Sequence, residues 1–271
     1  MQFSNFLKAS LAATSLFALT ACATVDSPIN TDLSSLNAAV TRNPDAGQSH
    51  NNLGAGLASY SRYNEAYDSF TKAIKAAPTS PQPYYNRGLT LIKLKKYTRA
   101  IKDFDSAIAR DLTYDKAYVA KGNALKKLGR TTQALAAFKK AASLNIYNAR
   151  ALFQIGLIYQ ARKNHTEAVT SFNKAMNFSS NVAQIFYARG NSHYALRDYV
   201  SAKGDFITAS RLMPKSYDAY IRLARTSAKL GDWEDAYSAY NNAAIRVPNS
   251  KEAAIGRSKA RAEITKAAAK A

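Results

Sequence analysis

A single cysteine, Cys22, stands in a chain of 271 residues, so no internal disulfide can hold the fold. Histidine is almost as scarce: His50, His165 and His193 are far apart in sequence and offer no ligand spacing for a metal. Acidic residues number 18 against 38 lysines and arginines, a formal net charge of +20. That sign suits an anionic partner or a well-solvated surface. No apolar run reaches the ~20 residues that a membrane-spanning helix needs. Gly-rich phosphate loops and serine or cysteine catalytic constellations are missing too. No cofactor, metal or enzymatic chemistry is therefore expected.

What is present is a period. Tyr84, Gly88, Leu91, Ala100, Phe104 and Ala107 occupy positions 4, 8, 11, 20, 24 and 27 of a 34-residue stretch. One period on, the same places hold Tyr118, Gly122, Leu125, Ala134, Phe138 and Ala141. The pattern tiles 47–250 as six units without insertion: 47–80, 81–114, 115–148, 149–182, 183–216 and 217–250. Five of the 11 glycines (Gly54, Gly88, Gly122, Gly156, Gly190) fall at position 8. Helix propensity penalises each by ~1 kcal/mol, so packing must account for them. The expectation is that they let the two helix backbones of a unit approach closely. Phe70, Phe104, Phe138, Phe172, Phe206 and Tyr240 at position 24 would fill the space between neighbours, and Pro78, Pro214 and Pro248 at position 32 would end the second helix. The histidines sit in slots that hold aromatic or aliphatic residues in other units, so structural roles explain them.

Period and residue types resemble the tetratricopeptide repeat (TPR), a helix–turn–helix unit. The resemblance implies an all-α fold, a right-handed TPR superhelix (α-solenoid) of six 34-residue repeats. Residues 32–46 read as an N-terminal half-repeat helix, with Leu36, Ala39 and Pro44 in register. Residues 251–271 read as a C-terminal capping helix with a frayed tail, Ala253, Gly256, Ala260 and Ile264 forming its apolar stripe.

In the TPR family, first-helix positions 2, 5, 6, 9, 12 and 13 line a concave groove that holds peptide segments. Carried over, they give Tyr85, Asn86, Lys116, Asn123, Arg150, Phe153, Gln154, Tyr187, Asn191, Tyr194 and Arg222 as partner-binding residues. Asparagines can pair with a peptide backbone while aromatics anchor side chains. The carboxylate clamp of chaperone-tail binders is not reproduced: Asn86 and Lys116 match it, but Asn51, Ala55 and Ala120 do not.

The N-terminus reads differently. Lys8 and the compact apolar run Ala9–Ala21 make 1–21 a signal peptide, and Leu19-Thr20-Ala21-Cys22 resembles the bacterial lipobox. That resemblance implies cleavage before Cys22, its diacylglycerol modification and an acylated (palmitate-type) amino terminus on the tether 22–31. Ala23, with no aspartate after the cysteine, implies sorting to the outer membrane, facing the periplasm.

Together these features resemble bacterial TPR lipoproteins: NlpI-like cell-wall adaptors, pilotins of type IV pilus secretins, and tight-adherence pilus assembly proteins. The expected function is an envelope scaffold binding protein or peptide segments in its groove, attached to the membrane through Cys22. Pilus or secretion-system assembly is the alternative. A third reading is binding of an anionic cell-wall polymer, because 81–114 carries seven basic and three acidic residues and 115–148 carries seven and one. Nucleic acid is not expected, since the anchor removes the chain from the cytoplasm.

Overall fold

The computed structural model describes residues 32–179 and 182–270. The signal peptide, Cys22 and the tether of the sequence reading lie outside the described residues. The half-repeat is α1 (Leu33–Arg42). The first unit is α2 (Gly47–Ser59) and α3 (Tyr63–Ala76), the second α4 (Pro81–Lys93) and α5 (Tyr97–Arg110). The third is α6 (Asp115–Lys127) and α7 (Thr131–Leu144), the fourth α8 (Ala149–Ala161) and α9 (His165–Met176). The fifth is α10 (Val182–Ala195) and α11 (Tyr199–Leu212), the sixth α12 (Tyr217–Leu230) and α13 (Trp233–Arg246). A final helix, α14 (Lys251–Ala268), runs four residues past Ile264, the last residue of its apolar stripe. The fold is the all-α TPR superhelix.

The position-8 glycines have a different neighbour from the one expected. A Cβ at Gly54, Gly88, Gly122, Gly156 or Gly190 would lie 2.5–2.9 Å from a ring carbon of the position-24 phenylalanine in the same unit. The first helix thus gives way to a ring rather than to a second backbone. Phe70, Phe104, Phe138, Phe172 and Phe206 are all fully buried, and each contributes about 2–3 kcal/mol of apolar burial. The sixth unit departs from this scheme. Position 8 is Ala224, position 24 is Tyr240, and the glycine facing that ring is Gly256 on α14.

Each turn within a unit contains a residue in the left-handed region at position 15. These are Ser61, Lys95, Gly129, Lys163, Arg197 and Gly231, with φ between 58° and 81°. Only two of the six are glycine, although the conformation strains any other L-residue. Between units, α4 opens with Pro81, while α8, α12 and α14 are capped by Asn148, Ser216 and Ser250.

Successive units are tied by a polar link that recurs at a spacing of 16. Position 7 of a first helix reaches back to position 25 of the preceding unit. Arg87 donates to Thr71 (3.1 Å), Arg189 to Asn173 (2.6 Å) and Arg257 to Asn241 (3.2 Å), and Lys121 pairs with Asp105 (2.6 Å). Arg87 and Arg189 also hold Asp103 and Asp205 of their own units with two hydrogen bonds each. Between the third and fourth units the two places hold Ile155 and Lys139, and between the fifth and sixth Leu223 and Ile207, so this link is missing at both junctions.

The ends are closed as the sequence implies. Leu33, Leu36 and Val40 of α1 cover the first unit's core. Ala253 and Ala260 of α14 are buried on the last. First helices pack on one another along the array (α2 on α4, α4 on α6, α8 on α10, α10 on α12, α12 on α14). Second helices have no such mutual packing, so the first helices line the concave face. The loosest of these steps is α6 to α8.

Candidate peptide-binding groove

A cleft of about 490 Å³ opens on the concave face at that loose step. Its floor is apolar: Tyr85, Leu89 and Ile92 of α4, with Val119 and Ala120 of α6. Polar side chains above the floor include Lys116, Asn123 and Arg150. Four residues carried over from the family pattern (Tyr85, Lys116, Asn123, Arg150) therefore meet in one recess. Tyr85 is its floor rather than its rim. Only 6% of it is exposed, and its ring centroid lies 6.0 Å from Phe104 and 5.1 Å from Tyr114.

Asn86 requires a correction. It is buried, and its Nδ2 donates to Asn51 Oδ1 at 3.0 Å across the seam between α2 and α4. That bond and its burial withdraw Asn86 from any partner.

The remaining residues of the family pattern stand on α8, α10 and α12, outside this recess. Gln154 accepts from Lys126 Nζ at 2.6 Å. Burial, and secondarily the charge of Lys127, lower the Lys126 ammonium pKa. Phe153 and Tyr187 are half-buried against Phe172 and Phe206, at 5.8 and 6.0 Å between ring centroids. Tyr194 meets Tyr199 edge-on at 5.2 Å. Asn191 turns a buried Oδ1 inward with no hydrogen-bond partner. Arg222 lies farther along, on α12. Beside it Arg225 is held by Glu252 of α14, a hydrogen bond that raises its pKa.

The cleft's outer lip escaped the positional rule because it lies in the loops between units. Tyr147 and Phe178 meet there at 5.0 Å, nearly perpendicular, and are 65% and 44% exposed. Leu112 and Ile146, also exposed, stand in the loops between units at position 32, where three of the other four units have proline. That substitution was the available signal. Asp115, the carboxylate nearest the recess, is engaged. Its Oδ2 accepts from Asn145 and Asn148, both at 2.9 Å, and its Oδ1 from the Lys116 backbone N–H. Asn148 also caps α8. Lys116 and Arg150 are exposed and have no ion-pair partner among the described residues.

The histidines take structural places. His50 Nε2 lies 2.7 Å from the Pro44 carbonyl, and His193 Nδ1 lies 3.1 Å from Asp198. Among the described residues no three His, Cys, Asp or Glu side chains are grouped to hold a metal, and no helix is long and apolar enough to cross a membrane.

No curated protein matches the chain significantly. Among solved structures, pilF of Pseudomonas aeruginosa superposes with a TM-score of 0.68 at 18% identity, over 80% of this chain and 98% of its own. The TPR protein YrrB, described as having an unusual peptide-binding site, gives 0.57 at 21% identity over 69% of this chain and 97% of its own. The APC/C hetero-tetramer Cut9–Hcn1 gives 0.65 at 17% identity and covers 87% of this chain, which spans 47% of the matched one. These likenesses are of fold. Family models described as tetratricopeptide repeat match residues 119–181 and 187–254, and residues 69–102, together more than half of the chain. The chain belongs to the tetratricopeptide repeat family.

Proposed function

We propose that the protein is a lipid-anchored scaffold of the bacterial cell envelope that holds protein partners in its concave groove and acts as an adaptor in envelope or cell-wall biogenesis. The observation that carries the binding half is the cleft at the α6–α8 step, where apolar floor, amide and unpaired cations converge on one concave surface. The peptide-binding site described for YrrB, a protein of the same fold, supports that reading. The anchoring half rests on Leu19-Thr20-Ala21-Cys22. Tethering would raise the local concentration of partners and orient them, with no bond chemistry by the scaffold itself.

The test is photocrosslinking in cells, with the reactive amino acid at Asn123 or Asn191 in the groove or at Lys140 on α7, in wild-type and Cys22→Ala backgrounds. A cell-wall hydrolase or protease crosslinked from the groove positions and dependent on Cys22 is expected. A secretin or pilus component in its place would move the role to pilus or secretion-system assembly. Crosslinks from Lys140 alone would refute the groove, and capture indifferent to Cys22 would refute the anchor.

A further inference from the structure

The balance of charge in the groove changes along the array. On the concave positions of α4, α6 and α8 stand Lys93, Lys116, Lys126, Lys127 and Arg150, with no carboxylate among those positions. Asp115 at the edge is saturated by its two asparagines. Farther along, α12 and α14 set Asp218, Glu252 and Glu263 among Arg222, Arg225, Lys229 and Lys259 in the same register, and Glu252 occupies Arg225. The stretch over α4, α6 and α8 is therefore the part of the groove where cations stand with no carboxylate among them. Its loop edge also carries the exposed aromatic pair Tyr147 and Phe178, both of which line the recess.

We infer that this cleft takes an extended acidic segment of a partner protein, with Lys116 and Arg150 meeting a carboxylate and the Tyr85–Leu89–Ile92 floor receiving an adjacent apolar or aromatic side chain. The inference rests on the groove reading above and gives the partner's chemistry. Helices packed 8–10 Å apart put α4 and α8 about 20 Å apart, which ~6 extended residues cross. A bilayer is too flat to reach a recessed floor. A glycan polymer would leave the apolar floor and the Tyr147–Phe178 pair without a counterpart. A second copy of this chain brings the same excess of positive charge, +20, and is repelled. The arrangement differs from the chaperone-tail clamp because both cations come from position 2 of consecutive units and Asn86 is withdrawn into the seam.

The test uses the full chain and fluorescein-labelled peptides of about ten residues, as pools with phenylalanine at each position among glutamates. Two control pools replace every glutamate by glutamine, or the phenylalanine by alanine. Fluorescence anisotropy should show the acidic pool binding at least about tenfold more tightly than either control. Lys116→Ala with Arg150→Ala should remove that preference while leaving the circular dichroism unchanged, because both side chains are exposed and unpaired. Equal binding of the glutamate and glutamine pools, or an acidic preference that survives the double substitution, overturns the inference. So does binding of phosphatidylglycerol vesicles with none of the peptides. If groove photocrosslinks persist in cells while the pools are not discriminated, only the acidic specification falls. If both fail, the groove reading falls with it.

Discussion

The ring of Tyr240 lies against Gly256 across the boundary between the last repeat and α14, so closely that a Cβ on Gly256 would sit 2.3 Å from two ring carbons. In the five preceding units the equivalent space is left by a glycine of the same unit. The capping helix is thus fitted to the one repeat that carries alanine at position 8 and tyrosine at position 24.

Gly256→Ala should destabilise the C-terminal end. Alanine gains ~1 kcal/mol in helix propensity, but displacing a buried ring typically costs about 1–3 kcal/mol. Hydrogen exchange should show α14 losing protection, and a variant that melts higher than wild type would contradict the fit. Gly122→Ala, against Phe138, should act the same way in mid-array.

Arg197→Gly and Lys163→Gly should each stabilise the array, by up to about 1 kcal/mol. Both residues hold a left-handed backbone, at φ 64° and 62°, a conformation that costs a non-glycine residue roughly 1–2 kcal/mol. The flexibility of glycine in the unfolded chain returns part of that gain. Thermal unfolding measures the difference, and an unchanged or lower midpoint for both variants would contradict it.

Asp103→Ala should be among the more damaging polar substitutions, at about 3 kcal/mol. It would leave Arg87 half-enclosed without the carboxylate that it holds at 2.7 and 2.8 Å. Burial opposes the Arg87 charge, and the Asp103 hydrogen bonds and charge outweigh it, so its pKa is raised. Asp103→Ala with Arg87→Leu should recover much of the loss in denaturant unfolding. A double variant no better than the single one would show that the pair is not the cause.

Asp198 caps α11 by accepting hydrogen bonds from the Ser201 side chain and backbone, which lower its pKa below 3.8. A carboxylate depressed on folding stabilises the protein above its unfolded pKa. That contribution fades as pH falls through the folded value. Wild type should therefore lose stability relative to Asp198→Asn below about pH 4. Parallel acid-unfolding curves for the two proteins would contradict this.

The repeat was fully legible in the sequence because a solenoid core is periodic. Once Gly88 and Phe104 are aligned with Gly122 and Phe138, each further unit repeats the same test. The reason for the glycines was less legible, since a ring and a backbone both call for a missing Cβ. In the groove, Lys116, Asn123 and Arg150 were found by position alone, whereas Asn86 was misplaced because only its partner Asn51, 35 residues away, marks it as buried. Tyr147 and Phe178 were missed because family positions describe helices and these residues lie in loops. The position-15 turns were invisible for a plainer reason: serine, lysine and arginine carry no sign of a left-handed backbone.

The polar link is absent at two junctions, third to fourth and fifth to sixth, and this gives the array a mechanical character. A solenoid couples only neighbouring units, so a pull on its ends is carried through every junction in series and the weakest yields first. Lys203 forms ion pairs with Asp232 and Asp235 across the fifth-to-sixth junction. Ile155 and Lys139 mark the weaker of the two, which is crossed at the surface by Lys126 to Gln154 and Arg162 to Thr132. A tether at one end and a bound partner in the mid-array cleft would load this junction, so tension would reshape the recess before it unfolded any helix.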